Sequence, residues 1–366
     1  MIRYLKKAIP LSILASGIMA SASFADTFTL RVGSGHPSKP TAYVTNMEKV
    51  LVPNIKKRVA AETNHKVRII EAYAGKIAKV HETLEAVEKG LLDIGSYCVC
   101  FETAKLLPWN FDYFVPFTTT NLVTNWEVKH KILKQFPELT KMLEDKYNQK
   151  FLAMQGFDDY GIGTVKQWQK ASELKGVKVI AAGPNLPWVS LFGSIPVTST
   201  LPTMYNDLAT GVAKGVIIFP SAHAGGFKFY EQAPYWKVIG FGAMAQTITT
   251  INLDTMKKLP PEIVKIIMEE AVNYEKAAVI DGQRRYQKGL TDLVKLGKKK
   301  GINDAVTYLP VEQQKIWAET IKDWPNSRAK DITKDYGMDG AAIMNAYMEE
   351  MEKTGHKFPV RYKIGG

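Results

Sequence analysis

The chain has 366 residues, 46% hydrophobic and 23% charged, with 48 lysines and arginines against 36 acidic residues. A chain of this length folds into about two domains and can bury a large core. The contents of glycine, proline and cysteine (27, 18 and 2 residues) exclude a collagen, a disordered tail and a disulfide scaffold. After the first 25 residues no apolar run approaches the roughly 20 residues that span a bilayer, which excludes a polytopic membrane protein.

The N-terminus has the three parts of a secretory signal peptide. Arg3, Lys6 and Lys7 precede an apolar run over residues 8–22, and Ser23-Phe24-Ala25 supplies a small-x-small cleavage pattern. We therefore expect a signal peptide over residues 1–25, cleavage after its last residue and a periplasmic location. The alternative is a buried N-terminal helix. Because no cysteine stands at the cleavage site, a lipid anchor is not expected.

The first part of the exported chain alternates strand and helix patterns. Strands are predicted over residues 28–32, 67–70 and 91–94, and helices over 43–61 and 80–87. Pro53 should kink or restart the first helix, and Gly90 should end the second. Such a βαβαβ run implies a parallel sheet with helices on its faces. We assign residues 26–150 to an N-terminal α/β lobe and expect the chain to cross back to it.

The next part repeats this organisation. Strands are predicted over residues 151–154, 177–180 and 216–219, with a helix over 204–210 that ends at Gly211. We assign residues 151–255 to a second α/β lobe. A cleft between two such lobes is a favoured place for a small ligand.

The longest helical pattern begins at Pro260-Pro261 and continues to about Lys300. If unbroken, this helix is on the order of 60 Å long, which exceeds one lobe. We expect residues 256–300 to bridge both lobes or to kink near Gly282 or Gly289. The remaining residues 301–366 are predicted to form helical segments that pack on the lobes.

Several patterns resemble chemical sites but favour other interpretations. Residues 240–245 fit the dinucleotide fingerprint G-x-G-x-x-A, which requires a helix next. The β-branched residues 246–251 predict a strand instead, so no cofactor is expected. Asp158 and Asp159 are adjacent and diverge, which favours a loop or solvated turn over an acid pair or a metal site. The lysines at 298–300 suit a helix C-terminus, so no nucleic-acid partner is expected.

The two cysteines, Cys98 and Cys100, are separated by one residue. We interpret them as buried small hydrophobic side chains, because a bridge between them would be strained. A nucleophilic cysteine needs a partnered histidine, and none of the six histidines forms a recognisable motif with either cysteine. Thiol catalysis is therefore not expected, and the histidines show no metal-ligand spacing.

Five segments come in an order and spacing that resemble one receptor family. They are residues 84–94, Leu174-Lys175-Gly176-Val177-Lys178-Val179, and residues 192–197, 205–215 and 252–260. Together they resemble the solute receptors of tripartite ATP-independent periplasmic (TRAP) transporters, in the dicarboxylate-receptor-like branch. The resemblance covers essentially the whole exported chain. It implies a two-lobed fold with a lobe-spanning helix, and a receptor that closes on a small organic solute and delivers it to a membrane permease.

The chain departs from this family where the family binds carboxylates. The family's arginine, which pairs with the solute carboxylate after the Leu-Lys-Gly-x-Lys-x run, corresponds to Ile180, and its asparagine contact corresponds to Ile218. A second polar contact falls at Tyr160. With Trp188, Leu201 and Phe219, these residues are predicted to line an apolar, aromatic-rich pocket. The hypothesis is a more hydrophobic or aromatic solute, or a carboxylate held by other residues.

Two further sets of candidates remain. Trp188 and Phe219 would equally form a cage for a cationic head group, with Asp158 or Asp159 as its negative partner. In the N-terminal lobe, candidate contacts follow the predicted strands, where sites in such sheets are found. These candidates are His36, Tyr97, Phe101 and Trp109.

The favoured function is a periplasmic solute-binding receptor of a TRAP transporter, with no catalytic activity. Two alternatives remain: an exported α/β enzyme that uses the same cleft, and a receptor that senses its solute for a signalling partner. The enzyme would need a nucleophile–base pair or a metal set, and the sequence offers neither.

Overall fold

The computed structural model describes residues 26–365. The predicted signal peptide, residues 1–25, lies outside the described residues. The strands, in chain order, are β1 Thr27–Gly33, β2 Lys66–Ala72, β3 Ile94–Cys98, β4 Gln149–Phe157, β5 Gly161–Thr164, β6 Lys178–Ala181, β7 Ile195–Thr198, β8 Gly215–Ile218, β9 Tyr235–Val238, β10 Met244–Asn252 and β11 Val306–Tyr308.

Helices connect and cover these strands. They are α1 Ala42–Asn46, α2 Val52–Glu62, α3 Thr83–Glu88, α4 Leu122–Gln135, α5 Glu138–Tyr147, α6 Pro187–Ser190, α7 Leu201–Ala209, α8 Pro220–Ala224, α9 Leu253–Lys258, α10 Pro261–Lys299, α11 Val311–Thr320, α12 Trp324–Tyr336 and α13 Gly340–Lys353.

The first sheet has five strands in the order β2-β1-β3-β10-β4. The pairs of β1 with β2 and with β3 are parallel, as the βαβαβ pattern predicts. β10 lies antiparallel between β3 and β4. All of β10 and all but the first two residues of β4 fall within the residues assigned from sequence to the second lobe, so the chain crosses between the lobes once after β4 and again before β10.

The second sheet has six strands in the order β11-β9-β5-β8-β6-β7. β6 pairs in parallel with β7 and β8, whereas β5 is antiparallel to both β8 and β9. Each lobe therefore has a parallel part flanked by an antiparallel strand that belongs to a crossing segment. The two crossings and α10 link the lobes.

The helix predicted over residues 43–61 is interrupted near the expected place. α1 passes into a single π-helical segment, Met47–Leu51, before α2 begins at Val52. Pro53 lies in the first turn of α2, and the backbone stays right-handed helical through Leu51 and Val52. The irregularity predicted at Pro53 is therefore a change of helix type directly before it, within a continuous helical run.

The long helix α10 is continuous over 39 residues, about 58 Å, which confirms the unbroken alternative. It packs against α1 and β4 of the first lobe and against α8 of the second. Gly289 allows the close approach to α8, because a Cβ there would lie 2.6 Å from the carbonyl carbon of Pro220. Among residues 26–365, no helix is long and apolar enough to cross a membrane.

The core of the first lobe encloses an ion pair. The Lys129 ammonium donates to Asp112 Oδ1 and to the Trp109 carbonyl, each at 3.1 Å, and both charged side chains are fully buried. The ammonium also lies 4.8 Å from the centroid of the Phe111 ring. A buried charge is tolerated here because each partner compensates the other.

Candidate functional site

The two crossing segments between the lobes are bonded to each other. Tyr160 N–H, after β4, donates to the Gly242 carbonyl at 3.2 Å, and Gly242 N–H donates to Asp159 Oδ1 at 2.9 Å. Gly242 has φ of +109°, and a Cβ there would lie 2.1 Å from Thr118 Oγ1, so only glycine fits. These two crossings, residues 158–160 and 239–243, connect the lobes and are called the hinge segments below.

Asp158 and Asp159 do not form the solvated turn predicted from sequence, because both are almost fully buried at this hinge. The Asp158 carboxylate accepts hydrogen bonds from Ser221 Oγ at 2.7 Å and Ser221 N–H at 3.2 Å. Burial raises the pKa of each aspartate to about 7. The predicted loop is confirmed between β4 and β5, and only its solvation was wrong, because the adjacent crossing and α8 cover the segment.

A cavity lies between the lobes directly beside this hinge. The space between its lining atoms, open solvent included, is about 310 Å³. No lysine or arginine of residues 26–365 is among its lining residues. These are His36, Cys100, Phe101, Phe157, Tyr160, Ala182, Leu201, Met204, Ile217, Ile218 and Phe219.

Aromatic rings from both lobes form the walls. Phe157, at the end of β4, stacks on Phe219 of the second lobe with ring centroids 4.6 Å apart and planes 11° from parallel. Tyr160 meets Phe219 edge to face at 5.6 Å, and His36 meets Phe101 at 5.7 Å. Contacts across the cleft, such as the Phe157–Phe219 stack, stabilise the closed arrangement of the lobes.

The cavity has few polar groups. The Tyr160 hydroxyl is hydrogen-bonded to the Tyr113 hydroxyl at 2.8 Å. His36 Nδ1 is hydrogen-bonded to the Tyr43 hydroxyl at 2.5 Å, while His36 Nε2 has no partner among the described residues. Burial, with the nearby His81, lowers the pKa of His36 to about 4, so its ring is neutral near pH 7.

Six of the ten candidate contacts from sequence are brought together here. They come from both lobes and include the position of the family's asparagine contact. They are His36, Phe101, Tyr160, Leu201, Ile218 and Phe219.

The other four candidates are buried outside the cavity lining. Ile180 lies in β6 between Val216 and Val197. Trp188 stands behind the wall: its indole meets Tyr160 edge to face at 5.7 Å and donates to the Tyr113 carbonyl at 2.9 Å.

In the first lobe, Tyr97 donates to Gln149 Oε1 at 2.9 Å and the Trp109 indole donates to the Leu139 carbonyl at 2.7 Å. Both side chains are buried there and have hydrogen-bond partners within the first lobe. Neither Asp158 nor Asp159 is among the lining residues, so the described residues place no carboxylate in the cavity wall.

Five lining residues were not predicted from the sequence: Cys100, Phe157, Ala182, Met204 and Ile217. Two signals were available for them. Phe157 directly precedes the Asp158–Tyr160 segment after a predicted strand, and Met204 follows Leu201 at the helical spacing of three residues.

Cys98 and Cys100 are joined by a disulfide, which corrects the interpretation as two free, buried side chains. The prediction of unbridged cysteines assumed a strand through both residues. β3 instead ends at Cys98 and a 3-10 turn, Val99–Phe101, begins, which brings the two sulfurs together. The turn also places Cys100 and Phe101 in the cavity lining.

Residues 240–243 lie in the second crossing, and residues 244–245 begin β10. The strand predicted after the glycines is confirmed as β10, so the helix that a dinucleotide fingerprint requires does not follow. Among residues 26–365, no group of three or more histidine, cysteine, aspartate or glutamate side chains is placed to hold a metal ion.

Comparisons with known proteins agree with this architecture. The family model described as DctP, bacterial extracellular solute-binding protein, family 7, matches residues 42–325. No match to a curated protein sequence is found. Among solved structures, an extracytoplasmic solute receptor of Bordetella pertussis that binds pyroglutamic acid has 20% identity and a TM-score of 0.73, covering 88% of this chain and 99% of its own.

Two other solved structures are similar. A TRAP solute-binding protein of Rhodoferax ferrireducens, in complex with copurified benzoate, has 18% identity and a TM-score of 0.72, with coverage of 89% and 98%. The periplasmic ectoine-binding protein of a Halomonas elongata TRAP transporter has 17% identity and a TM-score of 0.70, with coverage of 89% and 99%. These likenesses show the fold, and they confirm the predicted two-lobed α/β architecture with a long helix.

Proposed function

The chain belongs to the bacterial extracellular solute-binding proteins of family 7, and from this premise we propose that it is the periplasmic receptor of a TRAP-type transporter, which captures an apolar organic solute in the cavity between its lobes. The observation that carries this proposal is the composition of the cavity. Both lobes contribute to it, its walls are aromatic and aliphatic, and no lysine or arginine of the described residues lines it.

The lining supports an apolar solute over an organic anion. Burying an ionised carboxylate without a cation costs several kcal/mol, on the order of what breaking a buried ion pair costs. Ile218, at the position of the family's asparagine contact, lies in the wall, and Ile180 is buried in the neighbouring strand β6. Neither side chain compensates a negative charge.

The contacts that form when the lobes close on the solute supply the binding free energy. The cavity is formed by residues of both lobes, so its contacts exist only when the lobes are shut. The hinge at residues 158–160 and 239–243 and the spanning helix α10 permit this motion. A solute that bridges the lobes shifts the population toward the closed form, which is the form that a membrane permease would recognise. The signal peptide at residues 1–25 would place the receptor in the periplasm.

A cavity-filling variant tests the site. We expect Ala182→Phe to lose binding, because Ala182 lines the cavity and the larger side chain fills it. The matched control is Ala61→Phe, at an exposed position on α2. The chain from residue 26 onward is screened by thermal shift against neutral aromatic compounds, organic acids and amines. A bound compound in large excess raises the stability by about 3 kcal/mol.

A compound that stabilises the parent chain and Ala61→Phe, but not Ala182→Phe, supports the cavity as the site. Equal stabilisation of all three proteins contradicts it. The proposed role in transport is tested with permease subunits encoded beside this chain: solute uptake into proteoliposomes should require the receptor. Signalling without uptake would favour the alternative of a sensor.

A further inference from the structure

One polar atom of the cavity wall has no partner. His36 is 2% exposed, its ring lines the cavity, and its Nε2 makes no hydrogen bond within the described residues. Leaving a buried polar atom unpaired costs about 1–3 kcal/mol. The only side-chain hydroxyl that the described residues place in the lining, that of Tyr160, is bonded to Tyr113. Nε2 is therefore the group that a solute in the cavity would meet.

A short hydrogen-bond chain decides which ring nitrogen carries the hydrogen. His36 Nδ1 lies 2.5 Å from the Tyr43 hydroxyl, which lies 3.4 Å from Ser34 Oγ. Ser34 Oγ also accepts from the His36 backbone N–H at 3.2 Å. Two arrangements of the hydrogens are consistent with these distances.

Only one of the two arrangements gives both the Tyr43 and the Ser34 hydroxyl hydrogens an acceptor. If Tyr43 donates to Nδ1, the Ser34 hydroxyl donates to the Tyr43 oxygen and Nε2 carries the ring hydrogen. If Nδ1–H donates instead, Tyr43 donates to Ser34 and the Ser34 hydrogen has no acceptor among the described residues. The first arrangement leaves one buried polar group unpaired, Nε2–H, whereas the second leaves two, the Ser34 hydroxyl hydrogen and Nε2, so the first is favoured. His36 then presents a neutral Nε2–H to the cavity.

The surroundings of this N–H favour an uncharged partner. Phe101 and Phe157 lie edge-on to the His36 ring at 5.7 and 6.5 Å. A single neutral donor among such rings satisfies one carbonyl oxygen but leaves most of an anion's lost hydration unreplaced.

We propose that the solute is an uncharged aromatic molecule with a carbonyl oxygen, which accepts a hydrogen bond from His36 Nε2–H while its ring packs between the lobes against Phe157 and Phe219. This inference rests on the proposed function and deepens it, because it assigns the class of the solute and its polar contact. The aromatic and aliphatic lining offers apolar surface, and the donor fixes the orientation of the solute.

The tautomer is tested without any solute. In the chain from residue 26 onward, labelled with ¹⁵N-histidine, long-range ¹H–¹⁵N correlation spectra distinguish the two neutral tautomers and the charged ring. We expect His36 to be the neutral Nε2–H form throughout about pH 5.5–8. The Nδ1–H form, or a charged ring within this range, would overturn the inference. His36→Phe identifies the signals.

The solute class is tested with four matched probes: acetophenone, ethylbenzene, benzoate and benzylamine. Calorimetric titration should show acetophenone binding about fivefold more tightly than ethylbenzene, since the ketone adds one hydrogen bond to the same ring. In His36→Phe, which retains an apolar ring but no N–H, the two affinities should agree within about twofold. His36→Gln, which retains an N–H donor, should recover part of the preference.

Other outcomes overturn the inference. Equal affinities of acetophenone and ethylbenzene in the parent chain, a preference that survives in His36→Phe, tightest binding of benzoate or benzylamine, or no binding of any probe each contradict it. The proposed function is judged separately. If benzoate binds tightly and Ala182→Phe abolishes its binding, the cavity is the site and only the assigned class of solute is wrong.

Discussion

The core of the first lobe and the cavity between the lobes differ in whether a buried polar side chain has a partner. In the core, Lys129 and Asp112 are both fully buried, and each compensates the other. In the cavity, no lysine or arginine of the described chain lines the wall, and among the side chains that line it the one N or O atom without a partner is Nε2 of neutral His36. The chain pairs a buried lysine with an aspartate in the core and leaves a neutral side-chain donor unpaired in the cavity that we propose as the binding site.

Lys129→Met removes the cation of the buried Lys129–Asp112 pair and should have the largest effect. It leaves Asp112 buried with no cation, so the free energy of unfolding should fall by about 3–5 kcal/mol. Urea unfolding measures the loss. The control is Lys131→Met, two residues away, which removes a surface pair with Glu350 and should cost less than about 1 kcal/mol.

A second variant separates charge from packing. Lys129→Met combined with Asp112→Asn removes both charges, and most of the lost stability should return. If Lys129→Met costs no more than Lys131→Met, the ammonium is not a compensated charge of the core and the comparison fails.

Asp159 at the hinge is buried without an ion pair. It accepts a hydrogen bond from Gly242 N–H but has no ion-pair partner among the described residues. Burial raises its pKa from 3.8 to about 7. The folded protein therefore holds more protons than the unfolded chain between these values, and the free energy of unfolding falls as the pH rises through this window.

Asp159→Asn should remove this group's share of the fall, on the order of 2 kcal/mol between about pH 5 and 8. Urea unfolding at a series of pH values measures it. Asp304→Asn, at an exposed position, is the control and should leave the pH profile unchanged. A profile that keeps its full slope in Asp159→Asn would show that Asp159 is ionised in the folded protein.

Leu201→Arg tests whether a cation is what the cavity lacks. Leu201 lies in the cavity wall at the start of α7. An arginine there forms a charge-assisted pair with an anionic solute, so benzoate should gain about tenfold in affinity relative to acetophenone. Leu201→Met is the apolar control, and calorimetric titration gives the ratio. An unchanged ratio would mean that the new side chain does not reach the solute.

The elements of the fold follow from local sequence, and the site follows from it only in part. The alternating βα pattern predicted the parallel strands, and the apolar period after Pro260 predicted α10. These signals are local. The pairing of β10 between β3 and β4 joins residues about a hundred or more apart, and no local pattern encodes it.

The difference between local signals and long-range contacts also explains which residues of the candidate site could be predicted. Tyr160 and Ile218 were predicted from the family's contact positions, and Phe219 because it adjoins Ile218 at the end of a predicted strand. The stacking of Phe157 on Phe219 and the burial of Asp158 depend on how the two crossings meet, which the sequence does not state. The Cys98–Cys100 disulfide was missed because a strand was assumed where the chain turns.

Tyr160→Phe should have the smallest effect and sharpens the comparison at the cavity wall itself. The Tyr160 hydroxyl is bonded to Tyr113 at 2.8 Å, so its removal leaves the buried Tyr113 hydroxyl without this partner and should cost about 1 kcal/mol of stability. The ring that faces Phe219 remains, and the affinity for acetophenone should stay within about twofold. Tyr160→Ala, which removes the ring, should lower that affinity about tenfold. If Tyr160→Phe weakens binding as much as Tyr160→Ala does, the hydroxyl contacts the solute, and His36 is not the only polar group that orients it.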